Sequence, residues 1–199
     1  MSVNHSYNAV SPLDGRYASK VASLAPYFSE AALMRYRVVM EGEYLIALSS
    51  FGKCKLRKFS EAEIKKIRAL YTLTDADVEA IKKFESVTNH DVKAVEYFLK
   101  ERIADIPGCS NALEFVHFAC TSEDINNLGY ALMLRDARDE VLLPAIDRII
   151  ETLAAMAQDW AEQPMLSRTH GQAATPTTMG KEIANVAYRL KRQRRQLAQ

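Results

Sequence analysis

The chain has 199 residues, of which 48% are hydrophobic, enough for one domain or two small ones with a sizeable core. Its 26 lysines and arginines nearly balance 25 aspartates and glutamates, and the net charge of +1 argues against a disordered chain and against bulk nucleic-acid binding. No apolar run approaches the roughly 20 residues of a membrane-spanning helix, and the N-terminus lacks a signal-peptide pattern. The three cysteines, Cys54, Cys109 and Cys120, have no zinc-ligand spacing, so we expect a cytoplasmic protein with reduced thiols and no metal site.

Apolar residues recur at three- or four-residue steps along most of the chain, which predicts amphipathic helices. The low contents of glycine (7) and proline (6) agree with this prediction. Residues 1–27 are predicted to be irregular because prolines and a glycine interrupt them. The predicted helix starts that follow are Ser29 as an N-cap, Ser60 with Glu63 as a capping box, Thr74 or Asp75 as a cap, and Asp91.

The second half of the chain is predicted to form longer helices. One begins at Asp124, and Pro144 either kinks it or begins a new helix in its first turn. Thr175 and Pro176 predict the start of the last helix, with threonine as the N-cap and proline at the first helical position. That helix has no stop signal, so we expect the chain to end inside a long helix.

No segment alternates with a period of two residues for long enough to predict a strand. The predicted fold class is therefore all-α. Residues 1–110 are predicted to form a small N-terminal helical domain, and residues 111–199 the first part of a long helical bundle. The boundary is placed at Pro107 and Gly108, which end a helix.

Three polar clusters interrupt the helical pattern, at residues 88–91, 121–127 and 167–172. Each concentrates hydroxyls, amides, carboxylates or an imidazole between helix-like stretches. Histidine is the residue that most often moves a proton near neutral pH, and helix starts suit anions. The clusters therefore predict an active site that is assembled from several loops and takes a small anionic substrate.

Four ordered segments, residues 11–17, 88–99, 115–127 and 166–172, together resemble the bacterial adenylosuccinate lyase family of the fumarase/aspartase superfamily. A single Thr-His-Gly triplet would be weak evidence, but four segments in order over most of the chain are specific. The resemblance implies an all-α enzyme that eliminates fumarate from adenylosuccinate, giving AMP, and from succinylated aminoimidazole carboxamide ribotide. It also implies no metal or organic cofactor, and a homotetramer whose active sites each collect segments from three subunits.

The resemblance assigns roles to individual residues. His170 is the general acid toward the departing nitrogen, and the capping pair Thr121 and Ser122 binds a succinyl carboxylate. The remaining substrate contacts are Arg16 and Tyr17 at the nucleotide phosphate, Asn89, His90 and Asp91, Lys93 near a carboxylate, and Thr169 and Gln172 beside the acid. Arg168 and Lys181 are weaker candidates, and His117 is interpreted as a packed histidine.

Two alternatives stay open. The flexible loop that carries the family's serine base lies beyond the region covered here, so this chain by itself is expected to be inactive. A catalytically silent helical module that binds nucleotide, or assembles with the rest of a lyase, is the alternative function. The basic run at residues 191–195 is interpreted as a solvated helix face and not as a nucleic-acid contact.

Overall fold

The computed structural model describes residues 9–199, and nearly all of its regular structure is helical. The first residues of the segment predicted to be irregular, and the N-terminus without a signal pattern, lie outside these described residues. The α-helices are α1 (Ala25–Phe28), α2 (Glu30–Phe51), α3 (Glu61–Ala69), α4 (Asp75–Thr88), α5 (Asp91–Ala104), α6 (Ser122–Ala137), α7 (Leu143–Asp159) and α8 (Met179–Leu197). Short 3-10 turns span Ala18–Lys20, Ala22–Leu24 and Ser110–Phe115, and the all-α class is confirmed.

The predicted helix starts of the first half are confirmed by their capping bonds. The Ser29 hydroxyl accepts a hydrogen bond from the backbone N–H of Ala32, and α2 follows it. Ser60 with Glu63 forms a complete capping box at α3, as does Thr74 with Asp77 at α4. These caps satisfy backbone N–H groups that a helix start otherwise leaves without partners.

The chain folds as two compact units, of which the first ends at Arg135 and the second comprises Asp136–Gln199. The boundary between two helical domains predicted at Pro107 and Gly108 stays a prediction. A π-helical turn, Arg138–Leu142, links α6 to α7, and Pro144 lies in the first turn of α7. A π-turn next to a proline accommodates its missing N–H without ending the helical run.

The first unit has an apolar core built by α2, α3, α4 and α5 and closed by the Ser110–Phe115 turn. Its most deeply buried side chains include Val38, Leu45, Ile67, Ile81, Val95, Phe98, Leu99 and Ile103. Full burial of one such side chain stabilises a fold by about 1.5–3 kcal/mol. This core fixes the end of α4 and the start of α5, which carry one of the three polar clusters.

The second unit pairs α7 with α8 and contains a β-hairpin that was not predicted. Strand β1 (Pro164–Thr169) runs antiparallel to β2 (Gln172–Thr178), with an irregular register between Leu166 and Arg168. Gly180 lies so close to the end of α7 that an added Cβ would come within 2.3 Å of the Ala157 carbonyl oxygen. Arg194 joins the two helices through a bidentate ion pair with Asp147.

The predicted helix start at Thr175 and Pro176 is wrong, since both residues lie in β2. The helix begins at Met179, and the Thr178 hydroxyl accepts a hydrogen bond from the N–H of Lys181 as its cap. Proline is tolerated in a strand whose N–H side has no neighbouring strand, which applies in a two-stranded hairpin. None of the helices within residues 9–199 is long and apolar enough to cross a membrane.

Candidate active site

The first polar cluster forms a tight corner between α4 and α5. Asn89 ends α4 in the left-handed conformation, with a φ of 53°, which asparagine adopts more readily than most residues. His90 then caps α5, and its Nδ1 accepts a hydrogen bond from the N–H of Lys93 at 3.2 Å. Because Nδ1 is the acceptor, the neutral imidazole carries its proton on Nε2. His90 is half-exposed and therefore presents a donor beside a helix start.

Asp91 is held by Arg37, a buried arginine of α2 that no motif in the sequence marks. Nη2 of Arg37 lies 2.6 Å from Oδ2 of Asp91, and Nε of Arg37 donates to Oδ1 of Asn126 at 2.9 Å. Burial raises the pKa of Asp91, but the hydrogen bond and positive charge of Arg37 outweigh burial and hold that pKa below its ordinary value. Asp91 is therefore an ionised carboxylate that is paired with Arg37.

Lys93, the predicted partner of a substrate carboxylate, already has an internal partner. Its Nζ lies 2.7 Å from Oε2 of the buried Glu96, whose other oxygen binds Lys100 at 3.0 Å. The same ammonium lies 5.6 Å from the ring centre of Tyr97. Burial raises the pKa of Glu96, but the hydrogen bonds and charges of the two lysines together have the larger effect, so the pKa lies below its ordinary value. A substrate carboxylate would have to compete with Glu96 for Lys93.

The loop before α6 is strained and is tied to α2. His117 and Ala119 both have positive φ, 62° and 58°, a conformation that is uncommon outside glycine. Nδ1 of His117 lies 2.5 Å from Oε1 of Glu41, and the Tyr44 hydroxyl donates to the carbonyl of Phe118. His117, interpreted from sequence as a packed histidine, is thus mostly buried and also bound to a carboxylate.

Glu41 itself is a buried acid, with 1% of its surface exposed. Burial raises its pKa, and the hydrogen bond and charge of His117 only partly offset this rise. Among residues 9–199 its second oxygen, Oε2, has no hydrogen-bond partner. The raised pKa agrees with this environment, because an unpaired carboxylate oxygen is costly to bury.

The predicted carboxylate-binding pair stands at the start of α6, and its first member is bound to Asp124. Both the backbone N–H and the hydroxyl of Thr121 donate to Oδ2 of Asp124, at 2.7 and 2.9 Å. These bonds, the backbone one foremost, lower the pKa of Asp124. Ser122 is the first residue of the helix. Asp124 therefore occupies both donors of Thr121 in this structure, and the role of Thr121 toward a substrate stays a prediction.

The predicted phosphate contacts lie in an exposed turn near the start of the described residues. The Arg16 guanidinium lies 5.3 Å from the ring centre of Tyr17, in a cation–π arrangement. The N–H of Tyr17 donates to the carbonyl of Pro12 at 2.8 Å. Both side chains are exposed and able to meet an anion.

His170, the predicted acid, stands at the tip of the β-hairpin. Thr169 pairs with Gln172 across the hairpin, so only His170 and Gly171 form the turn. Their φ angles are 51° and 73°, and a two-residue type I′ turn requires positive φ at both positions. The turn thus collects three predicted site residues, Thr169, His170 and Gln172, into one exposed cluster on the second unit.

Within the first unit, a connection between two of the three polar clusters becomes visible only in the structure. Asp91 belongs to one cluster and Asn126 to the other, and Arg37 contacts both. The sequence signal for this residue was weak: Arg37 and Glu41 fall four residues apart on the side of α2 that also carries Val38 and Leu45. Charged residues on a buried helix side mark an internal polar contact. The described residues contain no group of three or more side chains suited to hold a metal ion.

The structure is a helical scaffold with polar residues at helix ends. Comparison with known proteins identifies the family to which it belongs. The chain belongs to the family described as Lyase, which matches residues 15–199. Among curated relatives, the adenylosuccinate lyase of Escherichia coli (strain K12) is 51% identical over 210 aligned residues. That of Vibrio cholerae serotype O1 is 50% identical over 206.

The coverage of these relatives is uneven. The alignments take in 98% and 96% of this chain but only 43% and 42% of the two relatives. The chain therefore spans about two fifths of the length of the curated relatives it matches.

Solved structures agree in fold. The 3-carboxy-cis,cis-muconate lactonizing enzyme from Pseudomonas putida superposes with a TM-score of 0.70 at 26% identity, over 88% of this chain and 38% of that one. A fumarate lyase from Mesorhizobium sp. BNC1 gives 0.71 at 21% identity, over 88% and 39%, which shows the fold alone.

Proposed function

We propose that this chain is the N-terminal part of an adenylosuccinate lyase. The proposed enzyme eliminates fumarate from adenylosuccinate, giving AMP, and from succinylated aminoimidazole carboxamide ribotide. The observation that carries the proposal is 51% identity to an adenylosuccinate lyase along 98% of the chain. We further propose a cytoplasmic homotetramer that uses neither a metal nor an organic cofactor.

The proposed chemistry needs a base and a general acid. A base takes the proton from the carbon next to a carboxylate, the electron pair forms the new double bond, and the C–N bond breaks. The nitrogen that leaves with the bond's electrons takes a proton from His170. Such a proton transfer contributes on the order of 10²–10⁴ in rate. The resemblance places the base on a flexible loop that is not among residues 1–199.

The remaining predicted residues bind the substrate in this proposal. Ser122 and the helix start of α6 offer N–H groups and a helix dipole to a succinyl carboxylate. Thr121 joins them by exchanging Asp124 for the substrate. His90 donates from Nε2, and the exposed Arg16 offers a guanidinium fork to the phosphate.

The proposal is tested by fumarate release from adenylosuccinate by the full-length protein that contains this chain. Asparagine is the most informative substitution for His170, because asparagine tolerates the positive φ but cannot act as a general acid. His170→Asn should lower kcat by about 10²–10⁴, while Thr175→Ala, an exposed change in the same hairpin, should leave kcat unchanged. Absence of fumarate release by the unmodified protein would refute the function, and a loss below about tenfold in His170→Asn would refute the acid role.

A catalytically silent helical module that binds nucleotide, or assembles with the rest of a lyase, is the second candidate, and the exposed Arg16 beside Tyr17 favours it as a contact for an anion. Calorimetric titration of the 199-residue chain with AMP distinguishes the two. Saturable binding without any fumarate release by the full-length protein would support the module. Fumarate release by the full-length protein would exclude it.

A further inference from the structure

Arg37 of α2 makes two polar contacts that point in different directions. Its Nε donates to Oδ1 of Asn126 at 2.9 Å, and its Nη2 lies 2.6 Å from Oδ2 of Asp91. The residue is 3% exposed and is packed within the first unit. A single buried guanidinium therefore touches the first residue of α5 and the fifth residue of α6.

One partner, Asp91, is itself a predicted substrate contact, and the other, Asn126, lies near a second group of predicted substrate contacts. Asp91 directly follows His90, the cap of α5, while Asn126 lies one helical turn after Ser122 in α6. Residues four apart in a helix share a face. A shift of either helix start relative to α2 would therefore break one of the two contacts of Arg37 and move a substrate-binding side chain with it.

The chemistry of arginine suits this arrangement better than that of lysine. A guanidinium is planar and holds its donors in a rigid fork, so the directions to Asp91 and Asn126 are fixed by the group itself. An ammonium on a flexible stem fixes no such angle. The apolar core next to Arg37 already packs α2 against α5 through Val38, Val95 and Leu99, so the fold has another source of stability.

We propose that Arg37 is a positioning residue that sets the spacing between the Asn89–His90 corner and the Thr121–Ser122 helix start. This inference rests on the proposed function and deepens it. Arg37 contacts no substrate in this role. It acts through Asp91 and Asn126, and its removal should leave the binding groups present but misplaced. Misplacement by about 1 Å, even far from the reacting atoms, can cost on the order of 10²-fold in rate.

The test measures kcat and KM for fumarate release by the full-length protein in four variants. Arg37→Lys keeps the charge and loses the fork, and we expect its kcat/KM to fall about 10²-fold while its melting temperature stays within a few degrees. The kcat/KM of Asn126→Ala should fall at least about tenfold, because this substitution removes one of the two contacts of Arg37. Because Arg37 acts through Asn126, adding Asn126→Ala to Arg37→Lys should cost less than about twofold more. Arg68→Lys is the matched control, since Arg68 makes a comparable fork to Glu43 on the exposed surface.

Chemical rescue separates positioning from a general structural role. The carboxylate of Asp91 is half-exposed, so a small cation can reach it from solvent. We expect millimolar guanidinium to restore part of the kcat/KM of Arg37→Ala, and the same concentration of urea, which has a similar shape without charge, to restore none. If Arg37→Ala fails to fold, Arg37→Lys and the cycle with Asn126→Ala decide the question.

The outcomes are separable from those of the proposed function. Unmodified protein that releases no fumarate would refute the function and leave nothing for Arg37 to position. Active unmodified protein with Arg37→Lys at the same kcat/KM would overturn the positioning role. So would fully additive losses in Arg37→Lys and Asn126→Ala, because independent effects mean that Arg37 does not act through Asn126.

Discussion

The first unit buries an apolar core, whereas the second leaves most of its apolar helix faces open. Phe98, Leu99 and Ile67 of the first unit are almost completely buried. In the second unit the buried residues among those described are Ala137, Leu143, Thr177, Gly180 and Ala187, while Val186 and Tyr188 of α8 are 49% and 63% exposed. Similar apolar patterns in a sequence therefore give a self-supporting core in one place and, in another, the open apolar surface that is typical of interfaces.

The units also differ in how they hold their predicted site residues. In the first unit the polar corners are tied to α2 by Arg37 and by the Glu41–His117 pair. In the second unit His170 stands on a two-residue hairpin turn with positive φ at both positions. We therefore expect site geometry in the first unit to depend on buried side chains, and in the second on local turn conformation.

Truncation of the first core should have the largest effect on stability. Phe98→Ala should lower the free energy of unfolding by about 3–5 kcal/mol, through lost burial and a cavity. Val186→Ala, at an exposed position of α8, should change it by less than about 0.5 kcal/mol. Chemical denaturation followed by circular dichroism measures both. The fluorescence of Trp160, the only tryptophan, reports on unfolding of the second unit. If Phe98→Ala shifted the fluorescence transition as much as the circular dichroism transition, the two units would not differ in their dependence on the first core.

The Glu41–His117 pair should show the next largest effect. Glu41→Ala leaves the mostly buried His117 without its partner and opens a cavity, and we expect it to cost about 2–4 kcal/mol. Glu41→Gln keeps an oxygen acceptor and removes the buried charge, so its cost should be below about 1 kcal/mol. Thermal melting of both variants checks the difference. Equal losses would mean that charge, and not packing and hydrogen bonding, holds this loop.

The same pair predicts a pH dependence. Because burial raises the pKa of Glu41 above its ordinary value of 4.5, the folded state binds the proton more tightly than the unfolded state. The contribution of Glu41 to the free energy of unfolding therefore declines as pH rises from 4.5 through the folded-state pKa. Denaturation curves of Glu41→Gln should lack this decline, and an unchanged pH profile would contradict the prediction.

Two glycines sharpen the comparison through backbone packing. An added Cβ at Gly180 meets backbone atoms of Ala157 and Ala161 at 2.3 and 2.6 Å, so Gly180→Ala should cost about 1–3 kcal/mol. Gly129, in the middle of α6, has its nearest neighbouring atom at 3.9 Å. Gly129→Ala should therefore stabilise the first unit by up to about 1 kcal/mol, through helix propensity. Stabilisation in both variants would show that α7 and α8 can separate freely.

The smallest expected effect is at the capping box of α3. The hydrogen bond from Arg57, and then that from the N–H of Ser60, lower the pKa of Glu63 to about 2. A depressed acid pKa adds stability above its ordinary value of 4.5 that is lost as pH falls from 4.5 toward about 2. Glu63→Gln should remove this loss of stability at acid pH, and it should lower the free energy of unfolding by about 1 kcal/mol at neutral pH. A denaturation series across these pH values measures it, with Glu61→Gln as the control.

Sequence patterns predicted most of what depends on neighbouring residues. The caps at Ser29, Ser60 and Thr74 are each closed by a partner three residues away, so local sequence is sufficient to identify them. The all-α class followed from helical periodicity and is confirmed. The positions of the polar corners at helix ends followed from the same signals.

Long-range pairing and the hairpin were not predictable in this way. The partners of Arg37–Asn126 and Glu41–His117 are 89 and 76 residues apart, and no local pattern joins them. The hairpin strands are short and mostly exposed, so they lack the alternation of a half-buried strand. The His-Gly turn also differs from the Asn-Gly and Asp-Gly pairs that mark a two-residue hairpin most clearly.

The positive φ of His170 has a consequence for any effort to make this protein more heat-resistant. An L residue in the left-handed region costs about 1 kcal/mol, which asparagine or glycine partly recovers. A thermostability screen would therefore rank His170→Asn and His170→Gly among its gains, and both remove the proposed proton donor. Selection for stability and selection for catalytic activity therefore favour different residues at this position.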